Sequence, residues 1–331
     1  MRVKLVQIDG KLPNLALMQL ASWHKARGDE VVYTRETSHE LFDGIFDRVY
    51  GSAIFKFSAD KIARLRQTYP DAIIGGTGSD SAQTIENVIG GEWDGRDYSL
   101  YPAYAPSLGF TQRGCRLSCK FCVVPGKEGK ARSVMSIADI WRGEGHPKRL
   151  HLLDNDFFGQ PEDQWRARVA EIRDGGFKVC LNQGINVRHL TPAAAEALAS
   201  MEIRDDQFKE RRIYTAWDNL KDEEVFFRGA QMLVDAGIKP RQIMAYMLVG
   251  FDKKETWVRI WHRFNRMVAF GIEPYPMVFD CRATDPERYR GLKQFQRWVV
   301  TGLYRAVPFS EYDASKKSKR GQEPVTAALF A

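Results

Sequence analysis

Three of the five cysteines in this 331-residue chain fall within eight positions, in Gly114-Cys115-Arg116-Leu117-Ser118-Cys119-Lys120-Phe121-Cys122. Thiolates are soft ligands, suited to zinc or to iron–sulfur clusters. Structural zinc takes four ligands and usually opens with closely spaced pairs, and ferredoxin-type clusters also take four thiolates. No fourth cysteine lies near this triplet. Three cysteines on a cubane leave one iron with an open position, which the amino and carboxylate groups of a bound molecule can fill. A zinc ion completed by a distant histidine or by Cys281 is the other metal reading. Gly114 lets the backbone turn sharply as the loop begins. Arg113, Arg116 and Lys120 are expected to lower the thiol pKa values and to tune a cluster's potential. Cys180 is expected to be an inert core residue. Cys281 is a secondary candidate for a substrate-facing thiol or hydrogen donor. The six histidines form no metal set in the sequence.

The elements that must hold this loop can be read from the apolar spacing. From residue 107 onward, strand signals recur at Leu108–Thr111, Arg149–Leu153, Lys178–Gln183, Arg212–Ala216, Gln242–Val249 and Pro276–Phe279. Helical periodicity fills the gaps at Ile137–Trp141, Gln164–Asp174, Pro192–Met201, Glu223–Ala236 and Thr256–Phe270. Six strands alternating with helices predict an α/β fold with a partial parallel (β/α)6 barrel, whose active residues sit just after the strands. Polar groups do follow the strands: Asp154 and Asn155, then Arg188, then Asp218, with Val249-Gly250 closing the fifth strand. Residues 1–80 also alternate strand and helix, which predicts a small Rossmann-like α/β domain. Residues 81–106 read as an aromatic connecting segment, 107–285 as the barrel, and 286–331 as a helical extension ending in the basic run Lys316-Lys317-Ser318-Lys319-Arg320.

The spacing C-x₃-C-x-φ-C, with Phe121 as the aromatic φ, resembles the motif of the radical S-adenosylmethionine (SAM) superfamily, and its place after the first barrel strand is similar too. The resemblance covers roughly residues 105–285. It implies a [4Fe–4S] cluster on Cys115, Cys119 and Cys122, SAM bound at the open iron, and a 5′-deoxyadenosyl radical formed for hydrogen abstraction. It further implies that Asp154 and Asn155 receive the SAM ammonium, that Arg188 pairs with its carboxylate or with the substrate, and that Asp218 receives the ribose hydroxyls. Phe121 accompanies the cluster, and the strand ending at Val249 and Gly250 packs adenine. The usual G-x-I-x-G of that strand is here Ala245-x-Met247-x-Val249. A flavodoxin- or ferredoxin-type electron donor is implied. The N-terminal domain resembles the cobalamin-binding domain that precedes many such cores. Its turn Asp9-Gly10-Lys11-Leu12-Pro13 lacks the cobalt-binding histidine, so a degenerate domain used for packing or substrate capture is expected, with a cobalamin-dependent radical methyltransferase as an alternative. Gly75–Gly78 is a further candidate phosphate cradle. A methylthiotransferase is disfavoured, because no second cysteine triplet precedes Cys115.

Composition narrows the rest. Hydrophobic residues at 44% and charged residues at 27% describe an ordinary globular chain and exclude disorder. The cysteines are too few for a disulfide framework. The N-terminus lacks the pattern of a secretory signal, and no apolar run reaches the length of a membrane span, so a soluble cytoplasmic protein is expected. A net charge of +7 tolerates an anionic partner, with a slight lean toward a nucleotide or nucleic acid substrate. A non-catalytic iron–sulfur or zinc protein is the alternative to an enzyme.

Overall fold

The computed structural model describes residues 1–41, 43–79, 81 and 83–313. The basic run at 316–320 lies outside them. The chain divides into two compact units, the first holding residues 1–105 and the second beginning at Pro106. Both are α/β, built on parallel sheets.

The first unit contains β1 (Arg2–Gln7), α1 (Leu15–Ala26), β2 (Glu30–Thr34), β3 (Arg48–Ser52), α2 (Ala59–Thr68), β4 (Ile73–Gly75) and α3 (Ile85–Ile89). Its sheet runs β2-β1-β3-β4 with every pairing parallel. The two faces bury different sets: Val6, Ile8, Val49 and Leu65 on one side, and Val3, Leu5, Leu17 and Tyr50 on the other. That alternation is the strand period of two, with helices covering both faces. Asn14 caps α1 by accepting from the Leu17 amide at 3.1 Å.

The second unit opens with β5 (Ser107–Gly109), β6 (Gln112–Arg113), α4 (Val124–Glu128), β7 (Arg132–Ser133) and α5 (Ile137–Ile140). There follow β8 (Arg149–Leu152), α6 (Glu162–Asp174), β9 (Lys178–Cys180), α7 (Pro192–Ser200), β10 (Glu202–Ile203) and β11 (Ile213–Ala216). It closes with α8 (Glu223–Asp235), β12 (Ile243–Val249), α9 (Trp257–Phe270), β13 (Glu273–Val278) and α10 (Pro286–Val300). The parallel strands form two sheets, β5-β8-β9-β10 and β11-β12-β13. Between them runs the segment after β9. There the Ile185 amide donates to the Tyr214 carbonyl at 2.6 Å, and the Tyr246 hydroxyl donates to the Asn182 carbonyl at 2.8 Å. One core of large apolar side chains underlies both sheets.

All six expected strands are present, most of them shorter than their apolar runs. The sequence reading missed β10, whose two residues carry no periodic signal, and the antiparallel ribbon β6–β7, whose residues are polar. Among the described residues no helix is long and apolar enough to cross a membrane.

Candidate iron–sulfur loop and its surroundings

The cysteine loop is a closed excursion between the strands of the β6–β7 ribbon. Gln112 pairs with Ser133 and Arg113 with Arg132, and the Cys115 amide then donates to the Gly129 carbonyl at 3.2 Å. Gly114 begins the loop at φ +78°, and a Cβ there would lie 2.2 Å from the Lys130 carbonyl oxygen. Only glycine fits that approach. Within the loop, the Cys122 amide donates to the Cys119 carbonyl at 3.0 Å, and the Leu117 amide to the Cys115 sulfur at 3.3 Å. Cys115 and Cys119 are half-buried and Cys122 is exposed.

The thiols sense one another. Burial pushes the Cys115 thiol up to about 11, and the negative charges of Asp156, Cys122 and Cys119 add to it. Desolvation also raises the Cys122 thiol, with Cys119, Asp218 and Glu128 contributing. The expectation that nearby cations lower these values is therefore not met. Arg116 is spent on Asp156, which it grips with Nε at 2.8 Å and Nη2 at 3.0 Å, and Arg113 reaches Glu128 at 3.4 Å.

Glu128 organises one wall of the loop. Its Oε2 accepts from the Gly114 amide at 3.1 Å and from Asn155 Nδ2 at 2.9 Å. Asp154 lies beneath. Its carboxylate accepts the Thr111 amide at 2.7 Å and the Thr111 hydroxyl, and burial pushes its carboxyl up to about 7. Asp154 and Asn155, expected to face a bound ammonium, are thus engaged in holding the backbone at 111–114. The turn after β8 could not reveal this, because the partners lie over 25 residues away in the chain.

Three other expected residues do converge on the loop. Arg188, on the turn after β9, places Nη2 3.8 Å from the Cys119 sulfur and pairs with Asp222 at 3.0 Å. Asp218, after β11, raises the Cys122 thiol by its charge and accepts the Leu248 amide at 3.0 Å. Burial raises Asp218 itself. Phe121 meets Phe251 edge-to-face at 5.5 Å, which sets the loop against the turn that follows Val249 and Gly250. Cys281 lies beside that turn, 3.8 Å from where a Cβ on Gly250 would be, with its thiol directed at the Asp285 carbonyl.

Sequence reasoning missed Arg263. This arginine is fully buried on α9 and donates to the carbonyls of Trp217 at 2.9 Å, Asp218 at 3.2 Å and Leu248 at 2.8 Å, and pairs with Glu255. It ties the ends of β11 and β12 together directly behind Asp218. The signal was a cation within the apolar stripe Ile260, Phe264, Met267.

A tetrahedral zinc with bonds of about 2.3 Å needs sulfurs about 3.8 Å apart. Among the described residues, only His151, Cys180 and Asp206 bring three such ligand atoms within 4.8 Å of one another. Comparison with protein-family models, curated proteins and solved structures finds no match to this chain.

Proposed function

We propose that the second unit is a radical SAM core and that Cys115, Cys119 and Cys122 hold a [4Fe–4S] cluster. The observation that carries the reading is Arg188, which reaches the Cys119 sulfur at 3.8 Å from the turn after β9, beside three cysteines in the spacing C-x₃-C-x₂-C. We read the two parallel sheets as parts of one partial (β/α)6 barrel, with the segment 181–187 bridging the seam between β9 and β11. When bound, the cluster supplies one electron that cleaves SAM to methionine and a 5′-deoxyadenosyl radical, which abstracts hydrogen from the substrate.

The chain's own residues bind and orient. Arg188 carries the fixed positive charge at the loop and pairs with the SAM carboxylate. Asp218, set in place by the Leu248 amide, receives ribose hydroxyls. The backbone at Val249 and Gly250 flanks the adenine, and Phe121 packs edge-to-face on Phe251 beside it. Asp154, whose two oxygens each accept from Thr111, is assigned to positioning the loop. Electrons come from a flavodoxin- or ferredoxin-type donor. The basic balance of the chain favours a nucleotide or nucleic acid as substrate.

The test is anaerobic reconstitution with iron and sulfide, reduction with dithionite, EPR with and without SAM, and assay of 5′-deoxyadenosine. The expected result is a [4Fe–4S]⁺ signal that shifts with SAM, with product formed and both lost in Cys119→Ala. A cluster indifferent to SAM would leave an electron-transfer protein, and zinc in place of iron would end the proposal.

A further inference from the structure

Inside the second unit, away from the cysteine loop, a different set of ligand atoms converges. His151 on β8 and Cys180 on β9 are paired neighbours in register. Leu150, Leu152 and Val179 on either side of them belong to the core beneath the helices. By strand alternation, His151 and Cys180 therefore point to the opposite, inner face. Cys180 is fully buried, as its strand position suggested, and its thiol meets the Asp206 carboxylate at 3.4 Å.

Asp206 reaches the pair from the turn after β10. The Arg204 amide donates to the Val179 carbonyl at 2.8 Å, which extends the β9–β10 pairing up to the turn. The Asp205 amide donates to the Glu210 carbonyl at 2.9 Å, and Phe208 adopts φ +58° within the turn. Phe208 also packs on the His151 ring at 4.8 Å. A non-glycine residue in that backbone region marks a turn held by its surroundings.

The polar accounting around Asp206 does not close within the protein. Its Oδ1 accepts from the Cys180 thiol at 3.4 Å and from Asn182 Nδ2 at 2.8 Å, and its backbone carbonyl lies 3.1 Å from His151 Nε2. Its Oδ2 is buried with no hydrogen-bond partner. The amide oxygen of Asn182, a residue only 1% exposed, is also buried and unpartnered. Two orphaned acceptor oxygens beside a thiol and an imidazole are costly in a protein interior and call for a cation.

The donor set indicates which one. Imidazole, thiolate and carboxylate together suit zinc. The three ligand atoms lie within 4.8 Å of one another, and the observed 3.4 Å from Cys180 Sγ to Asp206 Oδ1 is close to the tetrahedral edge of about 3.5 Å expected for zinc–sulfur and zinc–oxygen bonds. A thiolate and a carboxylate neutralise a divalent ion, so the filled site adds no net charge to the interior.

We propose that His151, Cys180 and Asp206 bind one zinc ion on the inner face of the β8–β9 strands, with the Asn182 amide as a further donor. The ion joins β8 and β9 to the turn after β10, at the edge where the four-stranded sheet ends. This site is independent of the cysteine loop and of the radical SAM reading.

The experiment uses the full chain with Cys115, Cys119 and Cys122 all changed to alanine, so that the loop can bind no metal. Zinc content is measured after purification without reconstitution. The metal-free protein is then titrated with cobalt(II). The expected result is one zinc per chain, and a cobalt spectrum with tetrahedral d–d bands and a thiolate charge-transfer band. Cys180→Ser abolishes that band and Cys281→Ser leaves it, while Asp206→Asn weakens cobalt binding at least tenfold with unchanged circular dichroism. Absence of zinc and cobalt binding, or a thiolate band that survives Cys180→Ser, would overturn the proposal. If the triple variant does not fold, the otherwise wild-type chain is compared with its Cys180→Ser variant by cobalt bound per chain: loss of one equivalent supports the site, and unchanged stoichiometry overturns it.

Discussion

Arg188 is the side chain with the most direct hold on the cysteine loop, because its guanidinium touches both Cys119 and Asp222. Burial acts to lower its pKa, and Cys119 and Asp222 together outweigh burial and raise it. Its charge is therefore fixed, and what a substitution changes is geometry. Arg188→Lys keeps the charge and loses the planar fork. With a charged hydrogen bond worth about 1.5–3 kcal/mol, SAM-dependent 5′-deoxyadenosine formation should fall about ten- to a hundredfold. Iron content should stay constant, as measured by metal analysis on the same samples. Gly114 tests the loop without touching charge. Alanine there meets both the positive φ and the Lys130 carbonyl, so Gly114→Ala should cost about 1–3 kcal/mol in denaturant unfolding and lower the iron retained after reconstitution. Full iron retention would mean that the loop holds its metal without this turn.

At the scale of elements, the C-terminal ends of β11 and β12 are held by a single side chain from α9. Arg263 is buried and both of its terminal nitrogens are hydrogen-bonded, so Arg263→Met leaves Glu255 without its cation and should destabilise the second unit by about 3–5 kcal/mol. The double variant with Glu255→Gln should recover part of that loss, whereas strictly additive effects would show that the two do not act as a pair. The first unit has a comparable device in β1, where fully buried Lys4 pairs with Asp43 and donates to the Tyr69 hydroxyl at 3.1 Å. Burial alone would raise the Asp43 carboxyl, but the Glu40 amide, Lys4 and Tyr69 hold it down to about 2. Its folded pKa lies below the unfolded value of about 3.9, so its stabilisation is complete above about pH 4 and is lost as pH falls through about 2. Urea unfolding of the first unit between pH 2 and 5 should show this slope, and Asp43→Asn should flatten it. These cases also mark what the sequence made legible. Strands such as Gln242–Val249 and helices such as Glu223–Ala236 declared themselves because apolar periodicity is local. Arg263, Lys4 and Asp154 did not, because a buried charge is explained only by partners that the fold brings from elsewhere. The cysteine spacing was legible for the same reason as the helices, since its three ligands lie in one short segment. His151, Cys180 and Asp206 were not, since their convergence depends on β8–β9 register and on a two-residue strand with no pattern.

Taken as a whole, the molecule pairs a unit that carries the cysteine loop with a doubly wound unit in front of it in the chain, and the second question is what the first unit binds. Sheets of this kind hold ligands beyond the strand ends where the order reverses, here between β1 and β3. That crevice is filled from within. Asp9 accepts the amides of Ile54 at 2.7 Å and Phe55 at 3.0 Å, and Asn14 donates to the Ser52 hydroxyl at 2.8 Å. Gln7 donates to the carbonyls of Asp9, Gly10 and Leu12 and accepts from the hydroxyls of Tyr33 and Tyr101. The glycines after β4 have an internal reason as well, since a Cβ on Gly76 would lie 2.1 Å from the Ala53 carbonyl oxygen and one on Gly78 2.4 Å from that of Phe55. They permit backbone to pack on backbone and need no phosphate to explain them. A cofactor entering this crevice would have to displace hydrogen bonds that the unit already makes, which argues against a resident cobalamin. Hydrogen exchange read by mass spectrometry can decide this on the intact chain, because a ligand protects the unit that binds it. With the reconstituted, reduced protein, SAM should slow exchange at 113–122 and in the turns after β11 and β12. Hydroxocobalamin in excess should leave exchange throughout residues 1–79 unchanged. Protection of the turns at 9–14 and 53–55 by hydroxocobalamin would instead mean that the crevice opens for it, and would restore the cobalamin-dependent methyltransferase as the reading of the whole chain.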